Sequence, residues 1–260
     1  MINNLRNLFQ ARDLLGAWAW RIVRVRYQQS LLGGLWAIIQ PAAAVVILTV
    51  VFTRFVKVDT GGTPYLLFSY TTMVLWTLFS GSLGDMVGSL VNNMNLVTKI
   101  YFPREVLPIA SMIARLFDFG IAMLLLVAMM VYFQVPLLKA SWLYVPVIVA
   151  IEIALALGLG FVTSALNVFY RDIGHVFPLG LQVLLYASPI IYPVTMVPEN
   201  LRSLYFLNPL AGIVESYRAV LLYGDLPGSY LIFSATVALL VLLVGYWFFK
   251  RVEFQFADVV

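Results

Sequence analysis

The ionisable residues inside or beside the long apolar stretches of this sequence are the first candidates for chemistry. They are Asp85, Arg115, Asp118 and Glu152. A charged side chain at membrane depth is costly, and by default it marks a functional site. Arg115 and Asp118 stand three residues apart, so we expect them to neutralise each other near a cytoplasmic helix end. Glu152 is the one clearly deep charge, and it either serves function or bonds to a neighbouring helix.

The residues that catalysis would require do not form a recognisable set. His175 is the single histidine and cysteine is absent, so a zinc site with its three or four ligands is not expected. No G-x-x-x-x-G-K-[ST] phosphate loop occurs, so we do not expect this chain to hydrolyse ATP through that motif. These observations predict a protein that is not itself an enzyme and that carries no metal or cofactor.

The elements that position these residues are membrane-spanning helices. The chain has 260 residues, of which 62% are hydrophobic and 11% charged, whereas soluble domains average about 25% charged residues. A span needs roughly 20 apolar residues. Charge-free runs of sufficient length cover 27–53, 60–84, 119–138, 153–170, 176–198 and 226–249. We therefore expect an all-α integral membrane protein with six spans: about Leu31–Phe55, about Tyr65–Leu90, and four beginning near Ile109, Trp142, Val176 and Ser229.

The distribution of basic residues predicts the orientation. With the N-terminus in the cytoplasm, eleven Lys and Arg residues fall on the inner side and five on the outer side. Cytoplasmic loops carry the basic excess, so both termini are expected in the cytoplasm. Because topology explains the net charge of +4, no nucleic-acid partner is expected.

We interpret residues 1–260 as a single transmembrane domain in three parts. Residues 1–30 are expected to form an amphipathic helix rather than a signal peptide, with its basic face at the cytoplasmic membrane surface. That helix is either a simple anchor or an interface that also contacts a cytoplasmic partner. Residues 31–250 form the six-helix bundle, and residues 251–260 form a cytoplasmic tail.

Residues 199–225, on the outer side, do not fit an ordinary loop. Fifteen of these 27 residues are apolar or aromatic, and Asn208-Pro209 interrupts any helix. As helices, Glu199–Leu207 and Leu210–Tyr223 would be about 13 Å and 21 Å long, too short for a core of about 30 Å. We expect a re-entrant hairpin at the outer mouth of a pathway; an ordinary lid on the bundle is the alternative.

Two further groups of aromatic residues have both a functional and a structural interpretation. Tyr101 and Phe102 lie in a cytoplasmic loop, where Asn95 is expected to cap a short helix that Pro103 ends. These aromatics suit docking onto another protein, or an interfacial belt. Trp76, Phe79, Tyr186 and Tyr192 could line a pore that passes a glycan by stacking on its sugar rings, or they pack between helices.

The chain resembles the transmembrane subunits of bacterial ABC-2 type polysaccharide exporters, the O-antigen export permeases, over nearly its whole length. The residues that carry the resemblance are Arg24-Val25-Arg26-Tyr27, Leu32-Gly33, Leu35-Trp36-Ala37, Gln40-Pro41, Thr98-Lys99, Tyr101-Phe102-Pro103-Arg104, Asn167, Tyr170-Arg171-Asp172, Ser188-Pro189-Ile190, Asn208-Pro209 and Phe256-Ala257-Asp258.

The resemblance implies a homodimer that binds two copies of a cytoplasmic ABC ATPase, which holds ATP and Mg, and that moves a lipid-linked glycan outward. The residues it implies for ATPase coupling are Asn95, Thr98, Lys99, Tyr101, Phe102, Pro103, Arg104, Tyr170, Arg171 and Asp172. Those expected in the pathway or gate are Trp76, Phe79, Tyr186, Tyr192, Asn208, Pro209, Glu215 and Arg218. Capsule or teichoic acid exporters share this architecture, and an ion-coupled carrier or a membrane enzyme remains a different class of alternative.

Overall fold

The computed structural model describes residues 8, 10–28, 30–56, 58–100, 102–137 and 139–257, and this part of the chain is helical without strands. Its α-helices are α1 Arg12–Tyr27, α2 Trp36–Val50, α3 Tyr65–Ser89, α4 Met94–Lys99, α5 Val106–Tyr132, α6 Val145–Phe169, α7 Ile173–Tyr186, α8 Glu199–Tyr205, α9 Pro209–Arg218 and α10 Tyr230–Val252. Short 3₁₀ or π segments extend several of them, including Val51–Phe55 after α2, Ala140–Tyr144 before α6, Ala219–Tyr223 after α9 and Glu253–Ala257 after α10.

Five helical stretches in the described residues are long and apolar enough to cross a membrane. They are Gly33–Phe55, Tyr65–Ser89, Val106–Tyr132, Ala140–Phe169 and Tyr230–Phe256. Each overlaps one of the six expected spans, with ends that differ by a few residues. A helix satisfies its own backbone hydrogen bonds in lipid. The long apolar stretches of the sequence therefore predicted the positions of these helices well.

The expected fifth span differs from prediction. Its helix, α7, covers Ile173–Tyr186, which is 14 residues or about 21 Å, instead of a continuous helix over 176–198. The chain leaves the helix at Ala187–Ser188, just before Pro189. Proline has no N–H to continue the hydrogen-bond ladder, and its ring disfavours the helical conformation of the residue before it. The remaining stretch to Pro198 is mostly turn and extended chain.

Helix α3 forms the centre of the bundle. It packs against α2, α5, α6, α7 and α9, and Leu67, Leu75 and Leu83 on different sides of it are fully buried. Lipid tails are as apolar as leucine, so association in the membrane depends on close packing rather than on removal from water. The central position of α3 gives most of the other helices a common surface to pack on.

The closest helix crossing lies between α6 and α10, at Gly158 and Gly245. A β-carbon added to Gly158 would lie 2.5 Å from the backbone carbonyl carbon and oxygen of Val241. One added to Gly245 would collide with the carbonyl of Gly158. Small residues allow backbones in membranes to approach in this way. Gly158 is therefore used within the chain, and Gly160 likewise packs on Met86.

Candidate functional site

The short helix α4 lies between α3 and α5, at the end of the bundle expected to face the cytoplasm. Asn95, Thr98 and Lys99 are exposed on it, while Val97 is buried beneath. The expected cap was wrong: Asn93 precedes α4, and Asn95 is its second residue. The helix also ends at Lys99, four residues before Pro103. Tyr101, expected beside these residues, lies outside the described part of the chain.

The C-terminal segment Glu253–Ala257 packs against α4 and fixes its position. Arg104 donates a hydrogen bond to the backbone carbonyl of Glu253, and its guanidinium lies 5.8 Å from the ring centroid of the buried Phe256. Lys250 contacts both Glu105 and Glu253 at 2.9 Å, and Glu105 is fully buried. The Lys250 ammonium group therefore neutralises the buried Glu105 carboxylate. This offsets the cost of removing that carboxylate from water.

Beside α4 is a groove of about 630 Å³. Its lining includes Ile100, Phe102, Pro103, Arg104 and Phe254, and Ile100 and Phe254 are largely exposed. Three of the coupling residues implied by the resemblance thus share one surface with the tail. Apolar groups framed by charges suit a protein contact.

The loop between α6 and α7, expected on the cytoplasmic side, holds Tyr170, Arg171 and Asp172, all three exposed. Asn167 shapes this turn, because its amide donates to the carbonyl of Val87 at 2.9 Å and its oxygen accepts from the N–H of Gly174 at 3.0 Å. The loop is thereby fixed to α3, the helix that leads into α4.

Four charges from three helices meet in one cluster inside the bundle. Arg26 of α1 lies 2.6 Å from Asp85 of α3 and also hydrogen-bonds Asp118 of α5. Arg115 donates two hydrogen bonds to Asp85, at 2.6 and 2.9 Å, and lies 3.5 Å from Asp118. The charges sum to zero, and the bidentate geometry of Arg115 is the strong form of such a pair. We refer to these four residues as the charge cluster.

Tyr27 completes the charge cluster from α1. Its hydroxyl donates to Asp118 at 2.5 Å. Burial and this hydrogen bond raise the pKa of Tyr27 to about 12, so the phenol remains a neutral donor at physiological pH.

The charge cluster is larger and deeper than the sequence indicated. The expected Arg115–Asp118 contact exists, but each residue has closer partners in Asp85 and Arg26. Arg115 and Asp118 lie nine and twelve residues after the start of α5, or about 14 and 18 Å along it. A carboxylate such as Asp85 beside an apolar stretch needs a basic partner, and that requirement is the signal that could have indicated a larger cluster.

The non-helical segment after α7 has side-chain partners for its carbonyls. The carbonyl of Pro189 accepts a hydrogen bond from Arg218, that of Ile190 from Thr72 and that of Ile191 from Tyr65. Each of these bonds is 2.6 Å long. The carbonyl of Tyr186 accepts from the Tyr192 hydroxyl at 2.8 Å. Irregular backbone at membrane depth is tolerated where protein covers it. Thr72 and Tyr65 were not identified from the sequence, since their partners are backbone atoms.

Arg218 connects three parts of the structure. Its side chain is 1% exposed, and its second terminal nitrogen bonds Glu215 at 2.8 Å. The guanidinium also lies 3.9 Å from the ring centroid of Phe68 on α3, a favourable cation–π position. Together with the bond to Pro189, these contacts connect α9, α3 and the end of α7.

Residues 199–223 form two short helices with a break at the expected place. Asn208 caps α9, since its side-chain oxygen accepts from the N–H of Leu210 at 3.1 Å, and Pro209 takes the first helical position, where its missing N–H costs nothing. The amide of Asn208 donates to the Ser188 hydroxyl at 2.8 Å. Asn200 on α8 is exposed, whereas Val214 on α9 is 2% exposed.

The aromatic residues expected in a pathway lie in different surroundings. Trp76 and Phe79 are buried in the core of the chain, 8% and 1% exposed, with ring centroids 6.1 Å apart. Tyr186 is 57% exposed, and the Tyr192 and Tyr205 hydroxyls lie 3.0 Å apart. In the chain alone, Tyr186 can therefore face a pathway, while Trp76 and Phe79 take part in packing.

Glu152 is buried in α6, 1% exposed, as its position in the sequence suggested. Its Oε2 atom has no hydrogen-bond partner among the described residues. A carboxyl group in such surroundings favours the neutral form.

The sequence was compared with protein families and characterised proteins. Residues 13–222 match the family model described as ABC-2 type transporter. The O-antigen export system permease protein RfbA of Myxococcus xanthus is 31% identical over 264 residues, which cover 99% of each chain. A protein of the same name from Klebsiella pneumoniae is 29% identical over 98% of this chain and 97% of its own.

More distant relatives include the polysialic acid transport protein KpsM of Escherichia coli. It is 25% identical over 90% of this chain and 91% of its own length. The similarity to the two RfbA proteins therefore covers nearly the whole chain.

Proposed function

The chain belongs to the ABC-2 type transporter family of membrane proteins, and from that premise we propose that it is the permease subunit of a polysaccharide exporter. The observation that carries this function is full-length similarity to O-antigen export permeases. The more distant polysialic acid transport proteins also handle a polysaccharide. O-antigen carried on a lipid is the substrate we favour. Capsule export is the second candidate, because of those distant relatives.

ATP hydrolysis is assigned to a separate partner, since the sequence has no phosphate loop of its own. The exposed face of α4, the groove beside it and the loop of Tyr170, Arg171 and Asp172 form the surface proposed for that ATPase. The hydrogen bond of Asn167 to α3 and the ion pairs of Lys250 fix this surface to the bundle. Movement of the ATPase would therefore reach α3 and α10 directly.

Charge reversal on α4 tests this assignment. Lys99→Glu places a carboxylate at the proposed contact, and we expect copurification of the ATPase to fall about tenfold through charge repulsion across the interface. Lys99 is exposed and has no salt bridge among the described residues, so the bundle should remain folded. Arg54→Glu, an equal reversal at an exposed cation in the Val51–Phe55 segment after α2, is the matched control. Unchanged ATPase copurification in Lys99→Glu would contradict the assignment.

For membrane topology we propose six crossings with both termini in the cytoplasm of a bacterial inner membrane. Helix α7 and the chain that follows it would make the fifth crossing together, and the hairpin α8–α9 would enter from outside. The carbonyl partners provided by α3 and α9 support a crossing completed by irregular chain. Helix α1 would lie at the inner surface, with Arg21 and Arg24 exposed and Ala19 and Val23 buried against the bundle.

Single cysteines test this topology against a background without native cysteine. Asn200→Cys should react quickly with a membrane-impermeant maleimide added outside, because Asn200 is exposed on α8. Val214→Cys should react at least about 100-fold more slowly, since an opening of roughly 3 kcal/mol would be needed. If the hairpin is a gate, nucleotide binding by the ATPase should change the Val214→Cys rate. Labelling of Asn200→Cys from the cytoplasmic side alone would refute the six-crossing topology.

A homodimer with two ATPase copies is the assembly we propose. Helix α7 supports it, since none of its residues is buried within the chain and Leu179 and Val183 are 62% and 68% exposed. A second copy packed on α7 would cover its exposed apolar side chains. Helix α7 is too short to cross the membrane by itself. The native mass of the complex copurified with the ATPase checks the proposed stoichiometry.

A further inference from the structure

A cavity of about 320 Å³ lies between α2, α3 and α5, next to the charge cluster. Its size falls at the lower end of small-molecule sites, about 300–1,000 Å³. Its lining is Arg26, Tyr27, Trp36, Ala37, Gln40, Pro41, Thr77, Leu78, Arg115, Asp118 and Phe119. The charge cluster forms one wall, and the first turns of α2 form the other.

The α2 wall presents an aromatic ring and an amide. Trp36 and Gln40 are one helical turn apart and therefore lie on the same face. Trp36 is 44% exposed and Gln40 is also exposed. Neither side chain hydrogen-bonds another residue in the described part of the chain. The α2 wall thus offers the flat apolar face of the Trp36 ring beside the unpaired amide donor and acceptor of Gln40.

The charge cluster offers hydrogen bonds without net charge. Both guanidinium groups are paired with carboxylates, so the cavity gives a strongly anionic ligand little electrostatic attraction. Each guanidinium has five N–H donors, and the cluster bonds use only part of them. The Asp118 carboxylate also retains acceptor positions. A neutral ligand rich in hydroxyl groups would therefore match the donors and acceptors that the charge cluster leaves unused.

We propose that this cavity binds a neutral pyranose ring, with its apolar face on Trp36 and its hydroxyls on Gln40, Asp118 and Arg115. The ring would be a sugar of the exported glycan, so the source of the ligand rests on the proposed function. The ionisable wall lies at membrane depth, where such residues mark substrate routes. The site selects for hydroxyl groups, since a ligand without them would displace water from Gln40, Asp118 and Arg115 and leave these polar groups unpaired.

Saturation-transfer NMR on the full chain in phosphatidylcholine nanodiscs tests the site. The probes are methyl glycosides of glucose, galactose, mannose and N-acetylglucosamine, with inorganic pyrophosphate as the anionic counter-probe. At least one glycoside should receive saturation from the wild-type chain. Trp36→Ala and Gln40→Ala should each weaken its binding about tenfold, the effect of losing one well-placed contact. Trp36→Phe, which keeps an aromatic face, should retain most of the binding.

Trp247→Ala is the matched control, because Trp247 is 57% exposed on α10, away from the cavity. Glycoside binding that is equal in wild type, Trp36→Ala and Gln40→Ala would overturn the site. So would a pyrophosphate signal that both variants lose without any glycoside signal. Neither result requires the ATPase or export. Failure of the proposed function would instead appear as a chain that copurifies with no ATPase and exports no glycan.

Discussion

Replacing Arg218 by alanine is expected to destabilise the protein by about 2–5 kcal/mol and to abolish export, because a large buried side chain is truncated and the buried carbonyl that it bonds loses its donor. Glu215 would lose its partner at 2.8 Å, and the Pro189 carbonyl its donor at 2.6 Å. The 3.9 Å contact with the Phe68 ring would disappear as well. Thermal unfolding of the purified chain in detergent measures the loss, and glycan appearance at the cell surface measures export.

The matched control is Arg202→Ala in the same outer hairpin. Arg202 is 35% exposed and lies 3.7 Å from Glu199, itself 89% exposed, so its ion pair contributes at most about 1 kcal/mol. Arg218→Lys should give an intermediate result, since lysine keeps the charge without the planar fork that reaches two partners. Equal unfolding temperatures for Arg218→Ala and Arg202→Ala would show that Arg218 does not hold the hairpin in place.

Gly158→Ala should destabilise the protein, although replacing glycine by alanine inside a helix is usually stabilising. The new methyl group would lie 2.5 Å from the backbone of Val241, and backbone cannot move aside as a flexible side chain can. Helices α6 and α10 must separate, and overpacking of this kind costs about 1–3 kcal/mol or more. Thermal unfolding in detergent and the monodisperse fraction after purification should both fall.

Gly120→Ala provides the comparison at another glycine inside a spanning helix. A β-carbon at Gly120 meets nothing within 4 Å, so this change should be neutral or stabilise by up to about 1 kcal/mol through helix propensity. A Gly158→Ala protein as stable as the Gly120→Ala protein would mean that the α6–α10 crossing is looser than described.

Elements defined by local composition could be predicted from the sequence, and contacts between distant residues could not. The long spans and the break at Asn208-Pro209 follow from backbone chemistry that each segment carries within itself. The charge cluster joins residues separated by 59 and 92 positions, and one sequence does not reveal which opposite charges will meet. The absence of charge over residues 176–198 favours a continuous span, whereas the chain leaves the helix before Pro189, so α7 ends earlier than composition alone predicts.

The coupling surface was only partly predictable for a related reason. Exposed Thr98 and Lys99 belong to a helix whose position depends on the tail, through Arg104 and Phe256. The local sequence indicated a cap at Asn95, but the preceding turn continues from α3 and places the start of α4 at Met94. Tertiary packing fixed this boundary, and cap propensity did not.

The broken segment after α7 also constrains the order of events during biosynthesis. Two donors to its carbonyls, Tyr65 and Thr72, emerge from the ribosome before it, whereas Arg218 emerges after it. Residues 187–191 therefore cannot complete their hydrogen bonds when they first meet the translocon, and unpaired carbonyls are costly in lipid. We expect the proposed fifth crossing to remain in a hydrated or chaperoned environment until α9 has been synthesised, so its insertion would be a late step in the maturation of the chain.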